Sequence, residues 1–184
     1  REKLKRINDK DILVLFHDKN RGKGSAIRTA LKKATGDIII IQDADLEYNP
    51  EEYPGLLKPI VDGVADIVYG ERFSLLDKED IFLPSHYFGN KFLSFLTGLI
   101  YSQKITDMET CYKVFKKEVI KDINLKSNRF NIEPEITAKL LKKGYKIHEI
   151  PISYYPRSKK EGKKISWKDG VVAIYTLLKY RFFD

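Results

Sequence analysis

Cysteine, tryptophan and methionine are scarce in this sequence, which contains one residue of each type among 184. The single cysteine, Cys111, excludes an internal disulfide and suits a reducing compartment. The most apolar stretch, residues 92–101, has about half of the ~20 residues that a membrane-spanning helix needs. A signal-peptide pattern is also missing from the start of the chain. We therefore expect a protein on the cytoplasmic side, without a transmembrane helix in this chain.

Basic residues outnumber acidic ones by 34 to 26, which gives a formal net charge of +8. Such a balance favours an anionic partner, and phosphate ligands, nucleic acids and acidic membrane surfaces all qualify. No nucleic-acid recognition motif accompanies the charge, so we do not expect a nucleic-acid partner. The hydrophobic fraction of 42% indicates a folded globular chain.

Strand and helix patterns alternate along the chain and predict one mixed α/β domain over residues 1–184, with helices flanking a sheet. A strand at 12–16, a helix at 25–34 and a strand at 38–41 form a predicted βαβ unit with a right-handed crossover. Further strands are predicted at 65–69, 112–115 and 147–155, and further helices from Asn49, at 84–101 and at 133–143. Pro151 and Pro156 flank the last strand and indicate a sheet edge.

The last 28 residues divide into two parts of different composition. Residues 157–168 form a strongly basic segment around Gly162, which predicts a loop. Residues 169–183 form an amphipathic helix whose apolar side could pack on the core or lie in a membrane interface. The sequence leaves both alternatives open.

Two aspartates follow a short apolar strand and form the most informative motif. Asp43 and Asp45 come directly after residues 38–41, where the carboxyl end of a buried strand faces the usual ligand crevice. On an extended backbone, residues i and i+2 project to one side, so both carboxylates can bind one Mg²⁺ or Mn²⁺ ion. Glu47 continues the spacing. A solvated turn after a strand is the alternative interpretation.

A glycine-rich segment joins the predicted first strand to the next helix. Asn20, Arg21, Gly22 and Lys23 could bring free N–H groups and positive charge to a phosphate at the helix N-terminus. The segment matches neither the Walker nor the dinucleotide spacing, so taken alone it favours a simple turn.

Two further positions carry charges at strand ends. Arg72 follows a predicted strand and a glycine, where its guanidinium could bind a phosphate or form a surface ion pair with Glu71. Asp107 and Glu109 precede another strand, so an acid there could act as a base or orient a sugar hydroxyl, or simply cap a turn.

Six segments occur in one order and together resemble glycosyltransferase family 2, most closely its polyprenyl-phosphate branch of dolichyl-phosphate mannosyltransferase-like enzymes. They are NRGKGSAIRTAL at 20–31, QDADLEYNPEEYP at 42–54, GERF at 70–73, TDMETCYKVF at 106–115, NIEPEITAKL at 131–140 and EIPISYYPR at 149–157. The resemblance covers nearly the whole chain. It implies a GT-A fold, a Rossmann-like mixed sheet flanked by helices.

The resemblance implies inverting transfer of a hexose from a nucleotide-diphosphate sugar, GDP-mannose or UDP-glucose, to a polyprenyl or dolichyl phosphate. Such an enzyme would bind Mg²⁺ or Mn²⁺ and act peripherally at the cytoplasmic face of a membrane. A family 2 transferase acting on a glycan or surface polysaccharide is the first alternative. An inactive, truncated interaction module is the second.

Individual positions take roles from the same resemblance. Asp43 and Asp45 match the metal-binding DxD, and Glu47 stands where the mannosyltransferases have a glutamine. The expected metal site is Asp43, Asp45 and Glu47, and the expected catalytic residues are Asp45, Arg72 and Asp107. The expected donor site is Asn20, Arg21, Gly22, Lys23, Gln42, Asp43 and Asp45. The expected acceptor-phosphate site is Arg72, His86, Arg157 and Lys164.

One departure concerns the start of the chain. The family opens with a strand carrying an AYNE-like segment and a second strand carrying DDGSTD, and neither occurs here. The resemblance therefore implies an N-terminally shortened form of the enzyme.

Overall fold

The computed structural model describes residues 1–75, 84–157 and 166–183. Within these ranges the sheet has four strands, β1 (Ile38–Ile40), β2 (Ile67–Glu71), β3 (Lys113–Lys116) and β4 (His148–Pro151), in the order β1-β3-β2-β4. Strand β3 runs antiparallel to both of its neighbours, whereas β2 and β4 are parallel. The predicted mixed sheet is thus confirmed, as is the edge position of the last strand.

Helices lie at all five predicted positions, and two short helices are additional. In chain order, the described helices are α1 (Glu2–Lys5), α2 (Lys23–Leu31), α3 (Tyr53–Val61), α4 (Pro84–Tyr101), α5 (Lys117–Lys121), α6 (Ile132–Lys142) and α7 (Trp167–Phe182). A 3-10 turn, Pro50–Glu52, precedes α3, and the Asn49 side chain accepts a hydrogen bond from the backbone N–H of Glu51 at 3.1 Å. That cap confirms the predicted helix start. None of the described helices combines the length and apolarity needed to cross a bilayer.

The core lies where β2 and β3 are covered by α3 and α6. Every residue of β2 is buried, and Leu56 of α3 and Ile136 of α6 are fully buried beside the sheet. A Cβ atom at Gly70 would lie 2.6 Å from Ile152 Cδ1 and 3.0 Å from Tyr112 Cβ. Only glycine therefore lets β2 approach its neighbours this closely.

The predicted strand at 12–16 is not formed. No strand pairs with this segment among the described residues, and Leu13 is 65% exposed. An apolar run becomes a strand only when another backbone lies beside it to satisfy its N–H and C=O groups, and here β1 pairs with β3 alone. The predicted βαβ unit is consequently wrong.

The C-terminal helix packs on the core along one face only. Ala173, Leu177 and Tyr180 are buried, and the Tyr101 hydroxyl of α4 donates a hydrogen bond to the Leu177 carbonyl at 2.8 Å. The opposite face of α7 stays exposed, as does one face of α4. Most of the predicted basic loop, residues 158–165 with Lys164, lies outside the described residues.

Candidate functional site

A cavity of about 510 Å³ opens at the ends of β1 and β2. Its wall includes Asp43 and Asp45, which follow β1, and Arg72, which follows β2. The N-terminal turns of α4 and α7 form the other side. This is the position in which open α/β sheets bind ligands, and the volume is that of a small-molecule site.

The cavity gathers seven of the predicted site residues. They are Lys23, Asp43, Asp45, Glu47, Arg72, His86 and Arg157. Asn20, Arg21 and Gly22 instead line a separate depression beside Phe16, where the Asn20 side chain accepts a bond from the Gly22 N–H at 2.9 Å. These three residues therefore form the turn that starts α2.

Gln42 and Asp107 also lie outside the cavity wall. The exposed Gln42 side chain accepts a hydrogen bond from the Tyr53 hydroxyl at 2.9 Å and donates one to the Asp43 carbonyl at 2.6 Å. Asp107 is fully buried behind Arg72. The donor role of Gln42 and the catalytic role of Asp107 stay predictions.

Each acid of the predicted metal site already has a cationic partner. Lys23 Nζ lies 2.7 Å from Asp43 Oδ2, and an Arg157 guanidinium nitrogen lies 2.8 Å from Asp45 Oδ2. Arg157 Nε also lies 3.1 Å from Glu47 Oε1. The acidic motif is thus neutralised by two side chains from distant parts of the sequence.

The backbone between the acids is not extended as the spacing suggested. Leu46 has a positive φ of 61°, and the Glu47 N–H donates to Asp45 Oδ1 at 3.3 Å. This reversal turns Glu47 towards Tyr154 and Arg157, whose groups occupy both of its carboxylate oxygens. Glu47 therefore orients Arg157 in this structure.

Two of the three predicted metal ligands, Asp43 and Asp45, nevertheless suit a hard divalent cation. Among the described residues, no group of three or more His, Cys, Asp or Glu side chains is close enough to hold a metal. Asp43 and Asp45 still line one cavity, with positive groups at their oxygens. Two carboxylates with exchangeable cationic partners are ligands that Mg²⁺ or Mn²⁺ can share with substrate phosphates.

Arg72 is held by a buried carboxylate. Its Nε lies 2.6 Å from Asp107 Oδ2, its Nη2 lies 2.7 Å from Asp107 Oδ1, and its backbone N–H also donates to Oδ2. Burial alone would lower the pKa of Arg72, but Asp107 keeps it well above its usual value. The pair therefore directs a permanent positive charge into the cavity wall.

A second buried chain of charges supports Lys23. Its Nζ lies 2.7 Å from Glu133 Oε1, and Lys113 Nζ lies 2.7 Å from Glu133 Oε2. Burial opposes ionisation of Glu133, but the two lysines lower its pKa. Glu133 and Lys113 were not among the predicted site residues, although a lysine inside the apolar strand 112–115 was a usable signal.

The sequence predicted that Glu109 acts as a base, orients a sugar hydroxyl or caps a turn. It lines the same cavity, and its Oε1 is buried without a hydrogen-bond partner among the described residues. Burial and the nearby Glu133 carboxylate raise its pKa to about 7, against the opposing effect of Lys113 and Arg72.

Comparison with known proteins agrees with this architecture. The family model for "Glycosyl transferase family 2" matches residues 1–123. A dolichol-phosphate mannosyltransferase of Pyrococcus furiosus is 31% identical over 170 residues, covering 88% of this chain and 46% of that protein. A UDP-N-acetylglucosamine–dolichyl-phosphate N-acetylglucosaminyltransferase of Methanococcus voltae is 30% identical over 147 residues, covering 77% and 58%. The chain therefore belongs to glycosyl transferase family 2.

Solved structures show the same fold. Glucosyl-3-phosphoglycerate synthase from Mycobacterium tuberculosis, determined with Mn²⁺ and UDP-glucose, superposes with a TM-score of 0.65 at 14% identity. The match covers 87% of this chain and 54% of the other. The GT-A fold expected from the resemblance is confirmed. The chain spans about half the length of the curated relatives it matches, from 38% to 60%.

Proposed function

We propose that this chain carries the catalytic centre of an inverting hexosyltransferase that transfers a hexose from a nucleotide-diphosphate sugar to a polyprenyl phosphate. The observation that carries the proposal is the single cavity in which two aspartates face Lys23, Arg72 and Arg157. Two relatives are named for transfer to dolichol phosphate or dolichyl phosphate, which supports this acceptor class. GDP-mannose and UDP-glucose are the candidate donors.

The donor diphosphate would lie against the acidic motif. Asp43 and Asp45 would hold Mg²⁺ or Mn²⁺, whose charge offsets that of the diphosphate as it leaves. Lys23 supplies a second positive charge on the same side of the cavity, and Glu133 holds its ammonium group in place. These residues stabilise the leaving group mainly by position and charge.

The acceptor phosphate would bind to Arg72, His86 and Arg157, with Lys164 of the basic segment as a further predicted contact. A phosphate monoester has a second pKa of about 6, so it is largely dianionic at neutral pH and needs no strong base to attack. The two oxygens of Asp107 are occupied by Arg72, which agrees with a reaction that proceeds without Asp107 as base. Asp107 would then act as a positioning residue.

Two helices beside the cavity would bring it to the membrane. Exposed apolar side chains recur along α4 at Phe88, Phe92, Phe95 and Leu99, and along α7 at Trp167, Val171, Tyr175, Leu178 and Phe182. The two helices contact each other, and they carry four basic residues and one acidic residue. Aromatic side chains with a basic flank suit the interface of an anionic bilayer. The single cysteine suits the cytoplasmic face.

A transfer assay tests the proposed function. The chain, alone and within any longer reading frame that contains it, would be incubated with labelled GDP-mannose or UDP-glucose, Mn²⁺ and polyprenyl phosphate. We expect transfer that chelation abolishes and that Asp45→Asn lowers at least about 100-fold. Asp62→Asn, which alters an exposed ion pair on α3, is the matched control and should retain activity.

The assay also separates the alternatives. Transfer to a glycan acceptor without transfer to polyprenyl phosphate would show that the acceptor is a glycan or surface polysaccharide and not a lipid phosphate. Absence of transfer and of sugar-nucleotide binding by both forms of the chain would leave the interaction module as the better account.

A further inference from the structure

Glu109 differs from the other acids of the cavity in having no partner in the part of the chain that the structure describes. The remaining cavity acids are engaged as follows: Asp43 with Lys23, Asp45 and Glu47 with Arg157, Glu133 with Lys23 and Lys113, and Asp169 with Ser166. Among the described residues of the cavity wall, Glu109 is the one acid without a hydrogen bond or an ion pair. A buried oxygen without a partner costs about 1 to 3 kcal/mol.

Within residues 1–75, 84–157 and 166–183, no spare cation satisfies this carboxyl group. The two cations that act on Glu109 are Lys113 and Arg72. Lys113 is already bound to Glu133, and Arg72 is bound through both side-chain oxygens of Asp107. A ligand in the cavity can supply the partner that the described residues do not.

The sheet topology places Glu109 at the same edge as the rest of the site. Strand β3 runs antiparallel to β1 and β2, so the start of β3 lies beside the ends of both. Glu109 precedes β3 by four residues, whereas Asp43 and Arg72 follow β1 and β2. All three side chains consequently line one cavity.

The chemistry of the partner follows from the charge. The ionised form of Glu109 repels phosphate groups, so the diphosphate and the acceptor phosphate do not suit that form. A neutral hydroxyl group is a suitable donor, and hexoses carry several. We propose that Glu109 accepts a hydrogen bond from a hydroxyl group of the transferred hexose and so helps to select the donor sugar. This inference rests on the proposed function.

Binding measurements with the sugar nucleotide and with the bare nucleotide test the inference. Calorimetric titrations with Mn²⁺ would compare GDP-mannose with GDP, and UDP-glucose with UDP. In Glu109→Met, which keeps the volume but removes the acceptor oxygens, we expect about 10-fold to 100-fold weaker binding of the preferred sugar nucleotide. Binding of the bare nucleotide should stay within about twofold, because it carries no hexose.

Glu109→Gln provides the rescue control, since its amide oxygen can still accept a hydrogen bond from a hydroxyl. Glu109→Gln should recover part of the affinity for the sugar nucleotide that Glu109→Met loses. Its preference between GDP-mannose and UDP-glucose should be closer to that of the wild type. Equal losses for sugar nucleotide and nucleotide, or no loss for either, would overturn the role of Glu109. Failure of the wild-type protein to bind either nucleotide would instead overturn the proposed function.

Discussion

The side chains behind the cavity determine what its wall can do. Arg72 can present a fixed charge only because Asp107 holds it in a bidentate ion pair at 2.6 and 2.7 Å. Lys23 depends in the same way on Glu133, which depends on the fully buried Lys113. At the residue scale, therefore, the site consists of wall residues and the buried partners that orient them.

Asp107→Asn tests whether this aspartate positions Arg72 or acts as a base. Removing one charge of a buried pair leaves Arg72 uncompensated, so we expect the free energy of unfolding in urea to fall by about 3 to 5 kcal/mol. Asp62→Asn breaks the exposed Lys58–Asp62 pair and should cost at most about 1 kcal/mol. A variant with unchanged stability that loses transfer only to hydroxyl acceptors would point to the base role.

Local sequence patterns predicted most elements, because each needs only its own residues and the nearest neighbours. The bounds of α4 agree with the predicted helix 84–101, and β1 lies within the predicted strand 38–41. The strand at 12–16 failed since an apolar run does not reveal whether a partner strand lies beside it. The pairing of Asp45 with Arg157 spans 112 residues, so no local pattern could show it.

The exposed apolar faces of α4 and α7 lead to a prediction at the element scale. Each exposed phenylalanine contributes about 1.5 to 3 kcal/mol when fully buried. A triple variant in which Phe88, Phe92 and Phe95 are each replaced by serine should therefore bind anionic vesicles at least about tenfold more weakly than the wild type. Co-sedimentation with vesicles of equal parts phosphatidylglycerol and phosphatidylcholine would measure it.

Val61 and Val64 supply the control for that experiment, because they are 71% and 72% exposed at and just beyond the end of α3. Their replacement with serine should leave vesicle binding unchanged. High salt should weaken wild-type binding, since each basic residue near an anionic surface contributes about 1 kcal/mol. Wild-type binding that neither salt nor the serine variant alters would contradict the assignment of this face.

The stability of the whole molecule should depend on the ionisation of Glu109. Its carboxyl faces Glu133 on α6, Lys113 on β3, and Arg72 and Asp107. Because the pKa is raised to about 7 in the folded state, ionisation opposes folding, and the penalty grows as pH rises from the unfolded pKa of about 4.3 through 7. Thermal unfolding should show Glu109→Gln more stable than wild type at pH 8 but not at pH 4. Equal differences at both pH values would exclude this cause.

The position of β3 has a consequence for the order in which the molecule can be assembled. Among the described strands, β1 and β2 do not pair with each other, and β3 lies between them. During synthesis, these two strands can be joined through β3 only after residues 113–116 have left the ribosome. The two halves of the ligand cavity therefore come together late, when more than half of this chain has already been made.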